Sequence, residues 1–211
     1  MHPIARSVLV AAFSVAWPLH ATSEPAPTDN PAVQRIVIVR HGEKPEAGLG
    51  QLACRGLARS IALPDVIIAK FGAPKFLFAP NPVKRKPDHG HLYDYIRPLA
   101  TIEPLAIRAG LPVDLSFGFE ETAKLARTLS TPRHSPGLIV VAWEHKIAVR
   151  LVRDILSRNG GGTQAIEPWK YDDFDRMDVI EITRSTGQQV KATYHRDLEG
   201  LNGISGECPR L

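Results

Sequence analysis

An apolar, β-branched run, Ile36-Val37-Ile38-Val39, stops abruptly at Arg40-His41-Gly42-Glu43. A buried parallel strand that delivers a reactive side chain at its C-terminal end reads this way, and ligands of open α/β sheets bind at such ends. Arg40 carries a planar fork of donors that fits a phosphate. His41 can serve as a nucleophile or a proton carrier. Gly42 permits a sharp turn and a close approach of a ligand. The same residues also suit a plain polar turn, so the rest of the chain has to decide.

Two further apolar runs end in polar residues of the right kind. Phe76-Leu77-Phe78 leads into Ala79-Pro80-Asn81-Pro82, and Leu138 to Ala142 leads into Trp143-Glu144-His145. If the three strands are parallel neighbours, His41, His145 and Asn81 share one rim. Arg97 opens a helical pattern and adds a second guanidinium, at a helix end that is itself favourable for anions. Positioned cations of this kind stabilise a phosphoryl group in transfer. No carboxylate cluster suits magnesium, and no Cys/His spacing matches a zinc module. His89 and His91 lack nearby carboxylate partners, so neither a metal nor another cofactor is expected.

The elements needed to position these groups can be read along the chain. Strand patterns fall at Arg35–Val39, Lys75–Phe78 and Gly137–Ala142. A hairpin is expected from Val179–Thr183 and Gln189–Tyr194 around Ser185-Thr186-Gly187. Helical patterns span Gln51–Phe71, with a break expected at Pro64, then Leu99–Ala109, Glu120–Leu129 and Lys146–Arg158. Strands alternating with helices predict a three-layer α/β/α sandwich with a mostly parallel central sheet. Gly160-Gly161-Gly162 lacks the strand-before, helix-after context of a phosphate loop and reads as a linker.

The N-terminal residues have a different character. Arg6 precedes an apolar stretch, Ser7 to Leu19, and small residues follow at Ala21-Thr22-Ser23. This is the order of a secretory signal peptide over residues 1–23. The stretch is too short for a comfortable membrane span, so a periplasmic or secreted location is expected, without stable membrane insertion after signal removal. Residues 24–33 read as a flexible leader and 34–211 as the functional domain. About 185 residues after the signal suit one sizeable core. The formal charge of +4 favours approach of an anion. No long Lys/Arg run suggests nucleic acid, and Lys84-Arg85-Lys86 reads as a solvated loop. Only two cysteines occur, Cys54 and Cys208, and in an oxidising compartment they are expected to pair.

The ordered set Arg40-His41-Gly42-Glu43, Arg97-Pro98-Leu99-Ala100-Thr101 and His145 resembles the histidine phosphatase superfamily, the phosphoglycerate-mutase-like phosphatases. The resemblance implies that His41 becomes transiently phosphorylated, with Arg40, Arg97 and His145 completing the phosphate pocket. The chain departs from the family pattern in the insertion Val83 to Ile96, in Trp143-Glu144 and Lys146 around the second histidine, and in the lack of an obvious proton donor.

Three glutamates compete for that last role. Glu144 adjoins His145, while Glu120 and Glu121 precede a helix after the loop 116–119. Glu43, Asn81, Glu120 and Glu121 are candidates for substrate contact, and Glu43 equally suits an exposed turn. Trp143 suits core or pocket wall, and Trp169, Tyr171 and Phe174 suit packing of a loop or the lining of a substrate cleft. His134 and His195 read as surface residues. The expected activity is that of an exported, metal-independent phosphomonoesterase on a small-molecule or glycolipid substrate. The alternative is a non-catalytic domain that binds or senses a phosphoryl ligand. The residues are silent on oligomeric state.

Overall fold

The computed structural model describes residues 31–210. The signal-like segment and most of the expected leader lie outside them. In chain order the elements are β1 (Ala32–Arg40), α1 (Cys54–Phe71), β2 (Phe76–Phe78), β3 (Lys86–Asp88), β4 (His91–Tyr93), α2 (Arg97–Ala109), β5 (Val113–Asp114), α3 (Thr122–Leu129), β6 (Gly137–Trp143), α4 (His145–Arg158), β7 (Arg176–Arg184) and β8 (Lys191–Leu198). Strand β1 begins inside the span read as leader.

Six strands form one sheet in the order β5-β2-β6-β1-β7-β8. The first four run parallel, and β7 and β8 add antiparallel at one side. The apolar runs of β1 and β6 are buried on both faces, and alternate residues feed two cores. Ile36, Ile38, Ile139, Val141 and Trp143 pack with α3 and α4 residues such as Leu125 and Leu151. Val37, Val39, Leu138, Val140 and Ala142 pack with Leu63, Ile67, Ile102 and Leu105 of α1 and α2. The result is the expected α/β/α sandwich.

Neighbouring strands β1 and β6 therefore send their following helices, α1 and α4, to opposite faces. That divergence opens a crevice at their C-terminal ends, where open α/β sheets bind ligands. The β1–β6 register sets Arg40 opposite Trp143, so His41 and Glu144-His145 leave the sheet at the same level.

Helix α1 runs unbroken through Pro64, contrary to the break expected there. Proline removes one helical hydrogen bond, but Leu63, Pro64 and Ile67 are all buried. Burying a large aliphatic side chain contributes about 1.5–3 kcal/mol, which offsets the lost bond. Pro104 is likewise held inside α2. The insertion at 83–96 folds into a small antiparallel hairpin, β3–β4, turning on His89 and Gly90, both with positive φ. Cys54, the first residue of α1, is disulfide-bonded to Cys208 in the C-terminal tail. No helix among the described residues is long and apolar enough to cross a membrane.

Candidate active site

His41 continues the β1 ladder one step beyond the strand, its N–H donating to the Trp143 carbonyl at 2.9 Å. Its ring Nδ1 lies 2.8 Å from the Gly42 carbonyl oxygen. A carbonyl only accepts, so Nδ1 carries the proton and Nε2 keeps its lone pair. Burial, and then the charges of Arg97 and Arg40, lower the ring pKa to about 3 against the Gly42 hydrogen bond. His41 is therefore a neutral imidazole with a free nucleophilic nitrogen. The ring of buried Tyr95 meets it edge-on at 5.9 Å between centroids.

Gly42 has a role that differs from the expected turn. A Cβ on it would come within 2.9 Å of the Gly56 Cα and carbonyl oxygen, so the absent side chain lets α1 press against this loop. The Gly42 N–H donates to Thr101 Oγ1, and that hydroxyl donates to the Arg97 carbonyl, both at 2.9 Å. Thr101 thus ties the His41 loop to the first turn of α2.

Arg40, Arg97 and His145 come from three different elements and line one cavity of about 100 Å³ with His41, Lys44, Lys86, Pro87, Asp88, Glu144 and Tyr171. Arg40 Nη1 is anchored on the carbonyls of Lys170, Tyr171 and Asp173. Its guanidinium lies 3.8 Å from the Phe174 ring centroid. Burial lowers the Arg40 pKa to about 10, so it stays charged at neutral pH. Arg97 stacks over Tyr95 at 5.1 Å and gives Nη1 to Asp88 Oδ2 at 2.6 Å. Arg40 Nε, Arg97 Nε and both ring nitrogens of His145 are buried without an aligned hydrogen-bond partner. Buried polar atoms are rarely left so; Arg40 Nε, Arg97 Nε and His145 Nε2 suit the oxygens of an anion, while His145 Nδ1 faces a carboxylate oxygen of Glu144.

Glu144 leaves the sheet one residue after β6 and caps α4, its Oε2 accepting from the Ile147 N–H at 3.0 Å. Its Oε1 lies 2.8 Å from His145 Nδ1. Burial alone would raise its pKa, but His145, Lys86 and the Ile147 N–H bring it down to about 2. Glu144 is a carboxylate at rest.

The other expected site residues lie elsewhere. Glu43 grips Arg59 through both oxygens, at 2.9 and 3.0 Å, and so fastens the loop after His41 to α1. Asn81 lines a separate cavity of about 430 Å³ with Lys84, Ser116 and Glu121. Glu121 accepts from the Gly118 N–H and pairs with Lys124, while exposed Glu120 pairs with Lys84. None of these four lines the His41 cavity. Trp169 is buried, and Trp143 is a core residue whose Nε1 donates to the Phe119 carbonyl.

Two expectations need correction. Lys84 and Arg85 are exposed, but Lys86 turns into the cavity and sits 4.8 Å from the Tyr95 ring centroid. His134, read as a surface residue, is buried against Phe76 at 4.6 Å. Lys44 and Asp88 complete the cavity although sequence reasoning did not single them out, and Tyr171, a candidate for loop packing or cleft lining, joins them. The first is two residues beyond the Arg-His-Gly motif, and the other two reach it by hairpin and loop geometry. Among the described residues no group of three or more His, Cys, Asp or Glu could hold a metal ion.

No family model matches the sequence, and no curated protein does. Solved structures do resemble it. A mycobacterial hydrolase, hydrolase 2, superposes with a TM-score of 0.51 at 12% identity over 77% of this chain and 89% of its own. A mycobacterial glucosyl-3-phosphoglycerate phosphatase gives 0.49 at 13% identity, over 78% and 97%. A phosphoserine phosphatase from Entamoeba histolytica gives 0.48 at 11%, over 80% and 98%. At these identities the likeness is one of architecture: the chain shares the α/β fold of mycobacterial hydrolase 2.

Proposed function

We propose that this chain is an exported phosphomonoesterase that works without a metal, through a phosphohistidine on His41. The observation that carries the reading is the convergence of unpartnered buried donors of Arg40, Arg97 and His145 on the cavity that holds neutral His41. Four cations line it, Arg40, Lys44, Lys86 and Arg97, against the carboxylates Asp88 and Glu144. The excess of two positive charges matches a phosphate dianion.

The chemistry follows from these groups. Arg40 and Arg97 hold the phosphoryl oxygens and take up charge as it develops. His145 adds a third donor, oriented by Glu144. Nε2 of His41 attacks phosphorus, the P–O bond to the alcohol breaks, and the proton stays on Nδ1, donated to the Gly42 carbonyl. Water then displaces the phosphate from Nε2 and regenerates the imidazole. The pocket's own cations supply the positive charge that a metal provides in other phosphatases.

Export is supported by the Arg6, Ser7–Leu19, Ala21-Thr22-Ser23 pattern and by the Cys54–Cys208 disulfide, which suits an oxidising compartment. Small phosphomonoesters and phosphorylated glycolipids both present the dianion that the pocket fits.

The test is release of p-nitrophenolate from p-nitrophenyl phosphate by purified protein in excess EDTA. Turnover, together with an acid-labile phosphate trapped on the wild type and absent from His41→Ala, supports the reading. A wild type that binds phosphate without turnover is a binding domain. Activity lost to EDTA and restored by one divalent metal also refutes the proposal.

A further inference from the structure

We propose that Asp88, on the inserted hairpin, is the catalytic residue that donates the proton to the leaving alcohol. The inference rests on the phosphohistidine reading above and supplies the step that reading leaves open. Expelling an alkoxide needs a proton as its bond to phosphorus breaks, and a positioned carboxylic acid can deliver it. Among the described residues two carboxylates line the His41 cavity, Glu144 and Asp88.

Their positions differ. Both oxygens of Glu144 are engaged at the start of its own helix, one by the Ile147 N–H and one beside His145 Nδ1. That arrangement orients a phosphate-holding group. Asp88 is flanked by residues of a second space. Its neighbour His89 and its partner Lys44 line an adjoining cavity of about 440 Å³ with Pro45, Glu46 and Tyr171. Lys44 and Tyr171 border both spaces. A phosphomonoester with its phosphate in the inner cavity and its alcohol in the outer one places the bridging oxygen at this junction.

Asp88 is also placed to change protonation when substrate enters. At rest its Oδ2 accepts from Arg97 at 2.6 Å and its Oδ1 from Lys44 at 2.7 Å. Gly48, with positive φ, packs against the carboxyl group so closely that a Cβ there would overlap it. Burial raises the Asp88 pKa, but the two cationic partners outweigh it and keep the group ionised. An arriving phosphate takes over Arg97 and brings negative charge beside the carboxylate. Both changes favour the protonated acid.

The phosphomonoester dianion binds together with one proton taken up from solvent. The proton passes to Asp88 and then to the bridging oxygen as the P–O bond breaks and the Nε2–P bond forms. In the second step the Asp88 carboxylate takes a proton from the attacking water. As that water attacks, the Nε2–P bond breaks, monohydrogen phosphate leaves and Asp88 returns the proton to solvent, so the cycle consumes one water and leaves Asp88 a carboxylate.

The experiment compares an alkyl phosphate with p-nitrophenyl phosphate, whose leaving group needs little proton help. Asp88→Asn should lower kcat/KM on the alkyl phosphate by about 100-fold or more and by under about 10-fold on p-nitrophenyl phosphate. Asp88→Glu keeps a carboxylate for Arg97 and Lys44 and serves if the Asn variant does not fold. It should move the ratio of the two activities at least tenfold, because the donor is displaced by one methylene. Equal losses on both substrates with Asp88→Asn, an unchanged ratio with Asp88→Glu, or a selective alkyl defect produced by Glu144→Gln instead, would overturn the assignment. A wild type inactive on p-nitrophenyl phosphate would sink the phosphohistidine reading itself, a separate outcome.

Discussion

Gly42 and Gly56 meet backbone to backbone: the place a Gly42 side chain would occupy is 2.9 Å from the Gly56 Cα and carbonyl oxygen. A Cβ on Gly56 would in turn overlap the Glu43 carbonyl. The first turn of α1 is thereby pressed onto the loop that holds His41. The first prediction is that Gly56→Ala and Gly42→Ala each lose about 1–3 kcal/mol of stability, the usual cost of overpacking. They should also lower turnover of p-nitrophenyl phosphate, because the loop must shift with His41 on it. Urea unfolding and steady-state kinetics read both effects. Wild-type stability in both variants would show that the contact relaxes freely.

The same helix end carries the disulfide. Cys54 opens α1 and Cys208 lies 154 residues later in the tail, which also holds Leu201 N–H to Asp175 Oδ1 at 2.6 Å. Closing so long a loop stabilises by about 5 kcal/mol in the chain-entropy model. Cys208→Ser, or reduction of the wild type, should lower stability by about 2–5 kcal/mol. Mass spectrometry of the unreduced, alkylated protein should find neither thiol free. Two alkylated cysteines would contradict the pairing.

His41 supplies a pH prediction. Its folded pKa, near 3, is below the ordinary 6.5 because of burial and then of Arg97 and Arg40. Between those values the unfolded chain binds the proton and the folded one does not. Stability is therefore lost as pH falls from 6.5 toward 3. The direct measurement is the His41 ring signals in nitrogen NMR. They should keep the Nδ1–H neutral pattern from pH 8 to pH 5, and a midpoint near 6.5 would remove the basis for a neutral resting nucleophile.

Parts of this site are legible in the sequence because they obey local rules. Continuous β-branched runs mark β1 and β6, and the polar residues after them must emerge at a strand end. That reasoning places Arg40, His41, Glu144 and His145 without knowledge of the register. Arg97 is found from its helix start. Lys86 and Asp88 are harder to see. They sit on one three-residue strand, β3, on either side of Pro87, with no periodic signal, and the turn at His89-Gly90 belongs to the hairpin that brings them to Arg97. Pro64 misleads for the opposite reason, since tertiary burial overrides a local breaker. His134 reads as polar and exposed, yet the rings of Phe76 and Phe78 enclose it.

The last prediction concerns the buried charges behind the site. Arg59 is 1% exposed and bonds Glu43 at 2.9 Å and Glu199 at 2.6 Å, with Asp175 at 3.7 Å. One guanidinium cannot compensate three carboxylates. Glu199, whose Oε1 has no partner, bears the deficit. Burial, and the nearby charges of Asp175 and Glu43, push its pKa up to about 8 against the pull of Arg59. The folded protein then binds one more proton at this group than the unfolded chain between pH 4.5 and 8. Stability from Glu199 accordingly falls as pH rises through that window, by up to about 1.4 kcal/mol per pH unit. Below pH 6.5 the neutral ring of His41 opposes the trend, as does that of His134, lowered chiefly by burial. From pH 6.5 to 8 Glu199 is free of that opposition. Urea midpoints at constant ionic strength should drop over this interval and level off above it. Glu199→Gln, which keeps an acceptor for Arg59 Nη1 but does not titrate, should flatten the profile. A wild type with no slope there would mean that Arg59 holds Glu199 ionised throughout.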